Sequence, residues 1–206
     1  RSVASLTSGM LLGIKLYPPI GFNPCPLPLP AKRLKFYQWC VTQDIPITTY
    51  CQKGSYSAGS AEKKALVANT KPRNWRNLLE IPGLETLRVN LAHMGGDDAI
   101  ETLFKGGKLT PRGWTYTIIQ MLKKYPNVYA DLSASDYHAQ GGASRIRRIF
   151  ELDKKGQFGA GHSLEDKVHW GSAVPRSRPM ASHTIITTLS GCAKPSVPRT
   201  ASMLPR

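Results

Sequence analysis

Three consecutive stretches decide the fold class: TLRVNLAH (86–93), TPRGWTYTIIQMLKKYP (110–126) and NVYADL (127–132). The first and third are short apolar runs of the kind that forms buried strands. The middle stretch has helical spacing, and its Thr110-Pro111 pair predicts a helix N-terminus. Five apolar side chains share one face of this helix: Trp114, Ile118, Met121, Leu122 and Tyr125. A strand, a helix and a strand in this order indicate a parallel βαβ unit.

The same alternation extends over most of the 206 residues. Further strands are predicted at 11–17, 45–51 and 167–171, and further helices at 31–44, 71–81 and 142–153. Five strands separated by helices predict an α/β protein with a parallel sheet. Either an open doubly wound sheet or part of a (β/α)8 TIM barrel fits this order. No GxGxxG or GxxxxGK[ST] loop follows a predicted strand, which disfavours a nucleotide-binding open sheet. A complete barrel needs about 250 residues, so five strands predict a partial one.

Composition limits the classes of function. Hydrophobic residues make up 41% and charged residues 20% of the chain, as in a globular protein. No apolar run is long enough to span a membrane, so no membrane partner is expected. The four cysteines lack CxxC pairing, which favours a reducing, cytoplasmic location.

The formal net charge of +15 raises the question of nucleic-acid binding. Five of these charges fall in residues 173–206, which contain no Asp or Glu. We expect this segment to be a disordered basic tail after a domain at 1–172. The remaining excess is scattered, so nucleic acid is not the expected partner. A basic group around Trp75 keeps an anion- or nucleic-acid-binding module as an alternative: Lys63, Lys64, Lys71, Arg73 and Arg76.

Candidate functional residues lie where the predicted strands end, because ligands bind at the carboxyl ends of parallel strands. Five side chains are placed there: Lys15, Tyr17, Tyr50, His93 and Asp131. His93 is followed closely by Gly95 and Gly96, a pattern that suits a metal ligand or a general base. A core histidine that is hydrogen-bonded to a backbone carbonyl fits the pattern equally well. Lys15 is costly inside an apolar strand unless it is paired or functional. Asp131 has the position of a residue that orients a neighbour or caps a helix.

Five segments also follow a familiar order: GIKLYPPIGF (13–22), IPITTYCQKGS (45–55), LRVNLAHMGGD (87–97), YPNVYADLS (125–133) and KVHWGS (167–172). In this order the chain resembles the amidohydrolase-related family, a (β/α)8 group of metal-dependent hydrolases and decarboxylases. The resemblance covers roughly residues 9–172 and implies strands four to eight of the barrel. The first three strands would then come from the missing N-terminal half of a barrel or from a second subunit.

The resemblance implies a divalent metal, most simply zinc, and a small-molecule substrate with a C–N or C–O bond to be hydrolysed, or a related decarboxylation. His93 matches the strand-six histidine, a metal ligand or catalytic acid/base. Lys15 is on strand four, where some relatives carry a carbamylated lysine that binds metal. Tyr17, Tyr50 and Arg73 are the candidate substrate-binding residues.

Two positions depart from the family pattern. Tyr50 occupies the strand-five position where a histidine ligand is expected, and Ala173 follows Gly171-Ser172 where an aspartate ligand is expected. The HxH pair of strand one has no counterpart in the sequence. We therefore expect impaired activity, and the abrupt loss of acidic residues after Ser172 suggests a shifted reading frame. A non-catalytic barrel remnant is the alternative.

Overall fold

A computed structural model describes residues 13–53, 63–133 and 141–170. Five strands form one parallel sheet, and their order in the sheet is their order in the chain. The strands are β1 (Ile14–Leu16), β2 (Ile47–Gln52), β3 (Val89–Gly95), β4 (Val128–Asp131) and β5 (Val168–His169). The predicted α/β class, the parallel sheet and all five strands are confirmed.

Six α-helices connect the strands within the described ranges: α1 (Ala31–Thr42), α2 (Lys63–Asn69), α3 (Pro72–Leu79), α4 (Asp97–Leu103), α5 (Trp114–Lys124) and α6 (Gly142–Lys154). Short 3-10 turns lie at Pro18–Ile20, Lys105–Gly107 and Leu164–Asp166. Helices α1, α3, α5 and α6 were predicted, whereas α2 and α4 were not. None of these helices is long and apolar enough to cross a membrane.

The helices cover one face of the sheet. Alternate strand residues point to that face, since side chains of a strand alternate between its two sides. Ile47, Val89 and Val128 are fully buried there, in one hydrophobic cluster with Ile118 and Leu122 of α5. Burying side chains of this size stabilises the fold by about 1.5 to 3 kcal/mol each. The helical layer therefore forms the core.

The opposite face of the sheet is polar. The strand register places Lys15, Thr48, Asn90 and Tyr129 side by side across β1 to β4. Nearer the strand ends, the same face carries Tyr50 and Asp131. We call this side of the sheet the polar face.

One detail of the α5 prediction was wrong. The helix begins at Trp114 rather than at Thr110. The Thr110 N–H donates to the Leu103 carbonyl at 2.8 Å, which holds the preceding segment outside the helix. Lys123, in the last turn of the helix, is buried in an ion pair with Asp153.

The basic group around Trp75 is also revised. Trp75 is fully buried in the core, where its ring meets that of Tyr37 edge-on at 6.3 Å between centroids. It therefore offers no exposed stacking surface beside Lys71 and Arg73. The predicted tail at 173–206 lies outside the described residues, and so does Ala173.

Candidate functional site

The candidate site lies at the carboxyl ends of β3 and β4, two neighbouring strands of the sheet. Strand β4 ends at Asp131, and Ser133 follows two residues later. His93 lies near the end of β3. It forms hydrogen bonds with both Asp131 and Ser133, and these two residues also bond to each other. The predicted site residue His93 is thus joined to two residues that lie about 40 positions away in the sequence.

Asp131 organises these strand ends by accepting four hydrogen bonds. Its Oδ1 accepts from the backbone N–H of His93 at 3.1 Å and from that of Ser133 at 3.0 Å. The Ser133 hydroxyl also donates to Oδ1, and Asn90 Nδ2 donates to Oδ2 at 2.7 Å. Burial by itself would raise the pKa of Asp131, but the bonds from Ser133, Asn90 and His93 outweigh burial and lower that pKa. Asp131 is therefore a carboxylate at neutral pH.

The His93 ring is held through its Nδ1 atom. Nδ1 lies 2.7 Å from the Ser133 carbonyl oxygen and 3.0 Å from the Ser133 hydroxyl oxygen. The edge of the ring meets Tyr50, with 4.9 Å between the ring centroids. These contacts fix both the position and the rotation of the imidazole.

The backbone around His93 adopts an unusual conformation. His93 has φ of 71° and Met94 has φ of 49°, in the left-handed region that most residues avoid. Each such residue costs about 1 kcal/mol or more and persists only where contacts enforce it. Here the His93 N–H is held by Asp131, and Thr115 Oγ1 donates to the Met94 carbonyl at 3.0 Å. Backbone strain at this point, held by specific contacts, is typical of a functional site.

Of the predicted substrate-binding residues, Tyr50 lies beside His93, and Tyr17 lies beside Tyr50. Tyr50 is buried against the His93 ring, and the Tyr17 and Tyr50 ring centroids are 4.8 Å apart. The three rings form an aromatic wall that runs from β1 to β3. Arg73, the third predicted residue, is exposed in the first turn of α3.

Lys15 lies at the β1 end of the polar face. Its side chain is exposed, yet neighbouring protein atoms displace enough water to lower its pKa, while the Asp131 charge opposes that shift. Because the side chain is exposed, solvent screens this effect. Lys15 is close enough to the site for its charge to act on His93.

His93 is expected to titrate below the ordinary imidazole pKa of about 6.5. Burial lowers its pKa more than the Ser133 carbonyl and the Asp131 charge raise it, and Lys15 lowers it further. The stability contributed by neutral His93 is therefore full above about pH 6.5 and is lost as the pH falls through the lowered pKa. The measurement is an NMR titration that follows the carbon signals of the histidine rings. The His93 signals are identified by their absence in the His93→Gln variant.

The Lys15→Met variant should raise the His93 pKa, because it removes a repelling positive charge. Lys32→Met, on the exposed surface of α1, is the matched control and should leave the pKa unchanged. A wild-type His93 that titrates at or above the ordinary value would contradict the burial described here.

Two side chains of the site escaped the sequence analysis. Asn90 holds Asp131 from the middle of β3, where an asparagine between apolar neighbours was the available signal. The second is His169, whose ring stacks on that of Tyr129 with 5.4 Å between the ring centroids. The His169 Nε2 atom is buried and has no hydrogen-bond partner among the described residues. Its strand position is directly beside Asp131.

The described residues do not assemble a metal site. No three His, Cys, Asp or Glu side chains within 13–53, 63–133 and 141–170 lie close enough together to hold a metal ion. His93 offers one nitrogen, and the oxygens of Asp131 are already taken up by four donors. A catalytic zinc needs about three protein ligands, so these residues do not fit zinc by themselves.

Comparison with known proteins gives no match. No protein-family model, curated protein or solved structure is significantly similar to this chain.

Proposed function

We propose that the five strands are strands four to eight of a (β/α)8 barrel of the amidohydrolase-related type, and that the site serves hydrolysis of a C–N or C–O bond. The consecutive strand order supports this proposal. In a doubly wound sheet the order reverses and helices cover both faces. With right-handed crossovers and no reversal, all helices fall on one face, and the other face becomes the interior of a barrel.

The observation that carries the functional part is the placement of His93, Asp131 and Ser133 together at the carboxyl ends of adjacent strands. Active sites of barrels are built at these ends. In the proposed reaction, neutral His93 takes a proton from the attacking water and returns it to the leaving group. In this proposal, a small-molecule substrate binds at these strand ends against the Tyr17 and Tyr50 rings. A decarboxylation would use the same acid/base group.

The amidohydrolase-related family implies a bound metal, and the described residues do not provide a site for it. Because the described residues do not fit zinc, the proposed reaction is carried by His93 and water. Further ligands would have to come from barrel strands supplied by a longer chain or by a second subunit. Tyr50 at the expected strand-five ligand position favours a second candidate, a non-catalytic remnant of such a barrel.

The substitution Tyr50→His tests the proposed correspondence with strand five. The ring centroids of Tyr50 and His93 are 4.9 Å apart. A histidine at position 50 would therefore place a second imidazole beside that of His93, with one imidazole on each of two neighbouring strand ends. We expect the affinity for Co²⁺, used as a spectroscopic substitute for zinc, to rise at least about tenfold over wild type, as one more imidazole ligand is added. The measurement is a Co²⁺ titration followed by visible absorption.

Two further variants make this test specific. Tyr116→His, on α5 and away from His93, is the matched control for adding a histidine. His93→Ala in the Tyr50→His background should abolish the gain. If Tyr50→His and Tyr116→His raised the affinity for Co²⁺ equally, β2 would not correspond to strand five. The non-catalytic remnant would then be the better interpretation.

A further inference from the structure

We infer that Ser133 and Asp131 are positioning residues that keep the proton of neutral His93 on Nδ1 and so make Nε2 the reactive atom of the ring. This inference deepens the proposed function and rests on it for the acid/base role of His93. The bonding pattern itself stands independently, on the distances around Nδ1.

The Ser133 carbonyl determines the first step. A carbonyl oxygen only accepts hydrogen bonds, so its 2.7 Å contact with Nδ1 requires a proton on that nitrogen. If Nδ1 carried a lone pair instead, two lone pairs would face each other at this distance. A neutral ring with a proton on Nδ1 has its lone pair on Nε2.

The Ser133 hydroxyl reinforces the same arrangement. Its oxygen is 3.0 Å from Nδ1, but its own proton is directed to Asp131 Oδ1 in a short hydrogen bond. The hydroxyl can therefore only accept from Nδ1. This direction of donation also argues against Ser133 as a nucleophile activated by His93, because that role requires donation to the imidazole.

Asp131 ties the two strand ends together. One carboxylate oxygen accepts the backbone N–H of His93 and the backbone N–H of Ser133, at 3.1 and 3.0 Å. The other oxygen is fixed by Asn90 at 2.7 Å. The Ser133 carbonyl therefore has little freedom to turn away from the ring. An orienting group of this kind commonly sets the tautomer of a functional histidine.

The consequence is chemical. A lone pair on Nε2 can accept a proton from a substrate or from water, whereas Nδ1 is occupied within the protein. The proton taken by Nε2 converts the ring to imidazolium, and the neighbouring Asp131 carboxylate favours that charge. Release of the same proton to a leaving group restores the starting tautomer.

The test is a long-range ¹H–¹⁵N NMR spectrum of ¹⁵N-histidine-labelled protein, recorded where His93 is neutral and assigned with His93→Gln. We expect the pyrrole-type shift at Nδ1 and the pyridine-type shift at Nε2, with at least about a tenfold preference for this tautomer, as hydrogen bonds of this kind permit. A wild-type spectrum with the proton on Nε2 overturns the inference, whatever the Co²⁺ titrations show. A failed Co²⁺ titration overturns only the proposed correspondence of β2 with strand five.

Variants then identify the positioning residues. Asp131→Ala should lose the Nδ1 preference, because the Ser133 carbonyl is no longer anchored. Asp131→Asn keeps an accepting oxygen and should preserve the preference for the proton on Nδ1. This variant keeps the test decisive if Asp131→Ala does not fold. Asp153→Asn weakens a distant buried ion pair and should leave the tautomer unchanged. Loss of the preference in both Asp131→Asn and Asp153→Asn would assign the effect to general destabilisation and overturn the positioning role.

Discussion

Replacing Asp153 with alanine is expected to lower the free energy of unfolding by about 3 to 5 kcal/mol, the usual cost of leaving one charge of a buried pair without its partner. Lys123 Nζ on α5 lies 2.6 Å from Asp153 Oδ1 on α6, and only 8% and 6% of the two side chains are exposed. Asp153 Oδ2 also accepts the backbone N–H of Leu164 at 2.8 Å. The carboxylate thus joins two helices to the turn that precedes β5.

The measurement is urea unfolding followed by circular dichroism. Glu165→Ala is the matched control, because Glu165 forms a 2.8 Å ion pair with Lys154 at the surface. The Lys154 side chain is 65% exposed and the Glu165 side chain is 56% exposed. We expect that control to cost less than about 1 kcal/mol. The double variant Lys123→Met with Asp153→Leu should recover most of the loss, since it removes both charges. Equal costs for Asp153→Ala and Glu165→Ala would show that the Lys123 ammonium reaches water.

The sheet could be predicted from the sequence because each strand is a local signal. Runs such as Val89–Gly95 and Val128–Asp131 are apolar, contain β-branched or aromatic residues and are bounded by residues that end strands. Two helices were missed for different reasons. Helix α2 has seven residues, too few for a helical period to stand out. Helix α4 follows Gly95-Gly96 directly, and glycine is a poor helix former that gives no sign of a helix start.

The site was predictable only in its local part. His93 and Asp131 were placed at strand ends because that position follows from the strand pattern. The contacts of Ser133 with His93 and of Asn90 with Asp131 span about 40 positions, so they depend on which strands become neighbours. Side-chain direction was a second limit. The basic residues around Trp75 kept an anion-binding module as an alternative, whereas the Trp75 ring is fully buried in the core.

Asp131→Ala is expected to lower the free energy of unfolding by about 3 kcal/mol at pH 7, because four donors lose a charged acceptor and some remain buried without a partner. The donors are on Asn90, His93 and Ser133. Asp131→Asn should cost less, since its amide oxygen still accepts and the Asn90 amide can turn to offer its own oxygen, which now has no partner among the described residues. Glu165→Ala is again the control, because its ion pair with Lys154 is exposed.

The cost of Asp131→Asn should depend on pH in a defined direction. The folded pKa of Asp131 lies below the unfolded value of about 3.9, so the unfolded chain binds the proton first as the pH falls. The stability that the carboxylate contributes is therefore complete above about pH 5 and decreases as the pH falls through the lowered pKa. Urea unfolding of wild type and Asp131→Asn between pH 3 and pH 7 measures this difference directly, since other titrating groups cancel. A difference that stays constant over this range, or widens toward low pH, would show that Asp131 is not held as a carboxylate by the strand ends of β3 and β4.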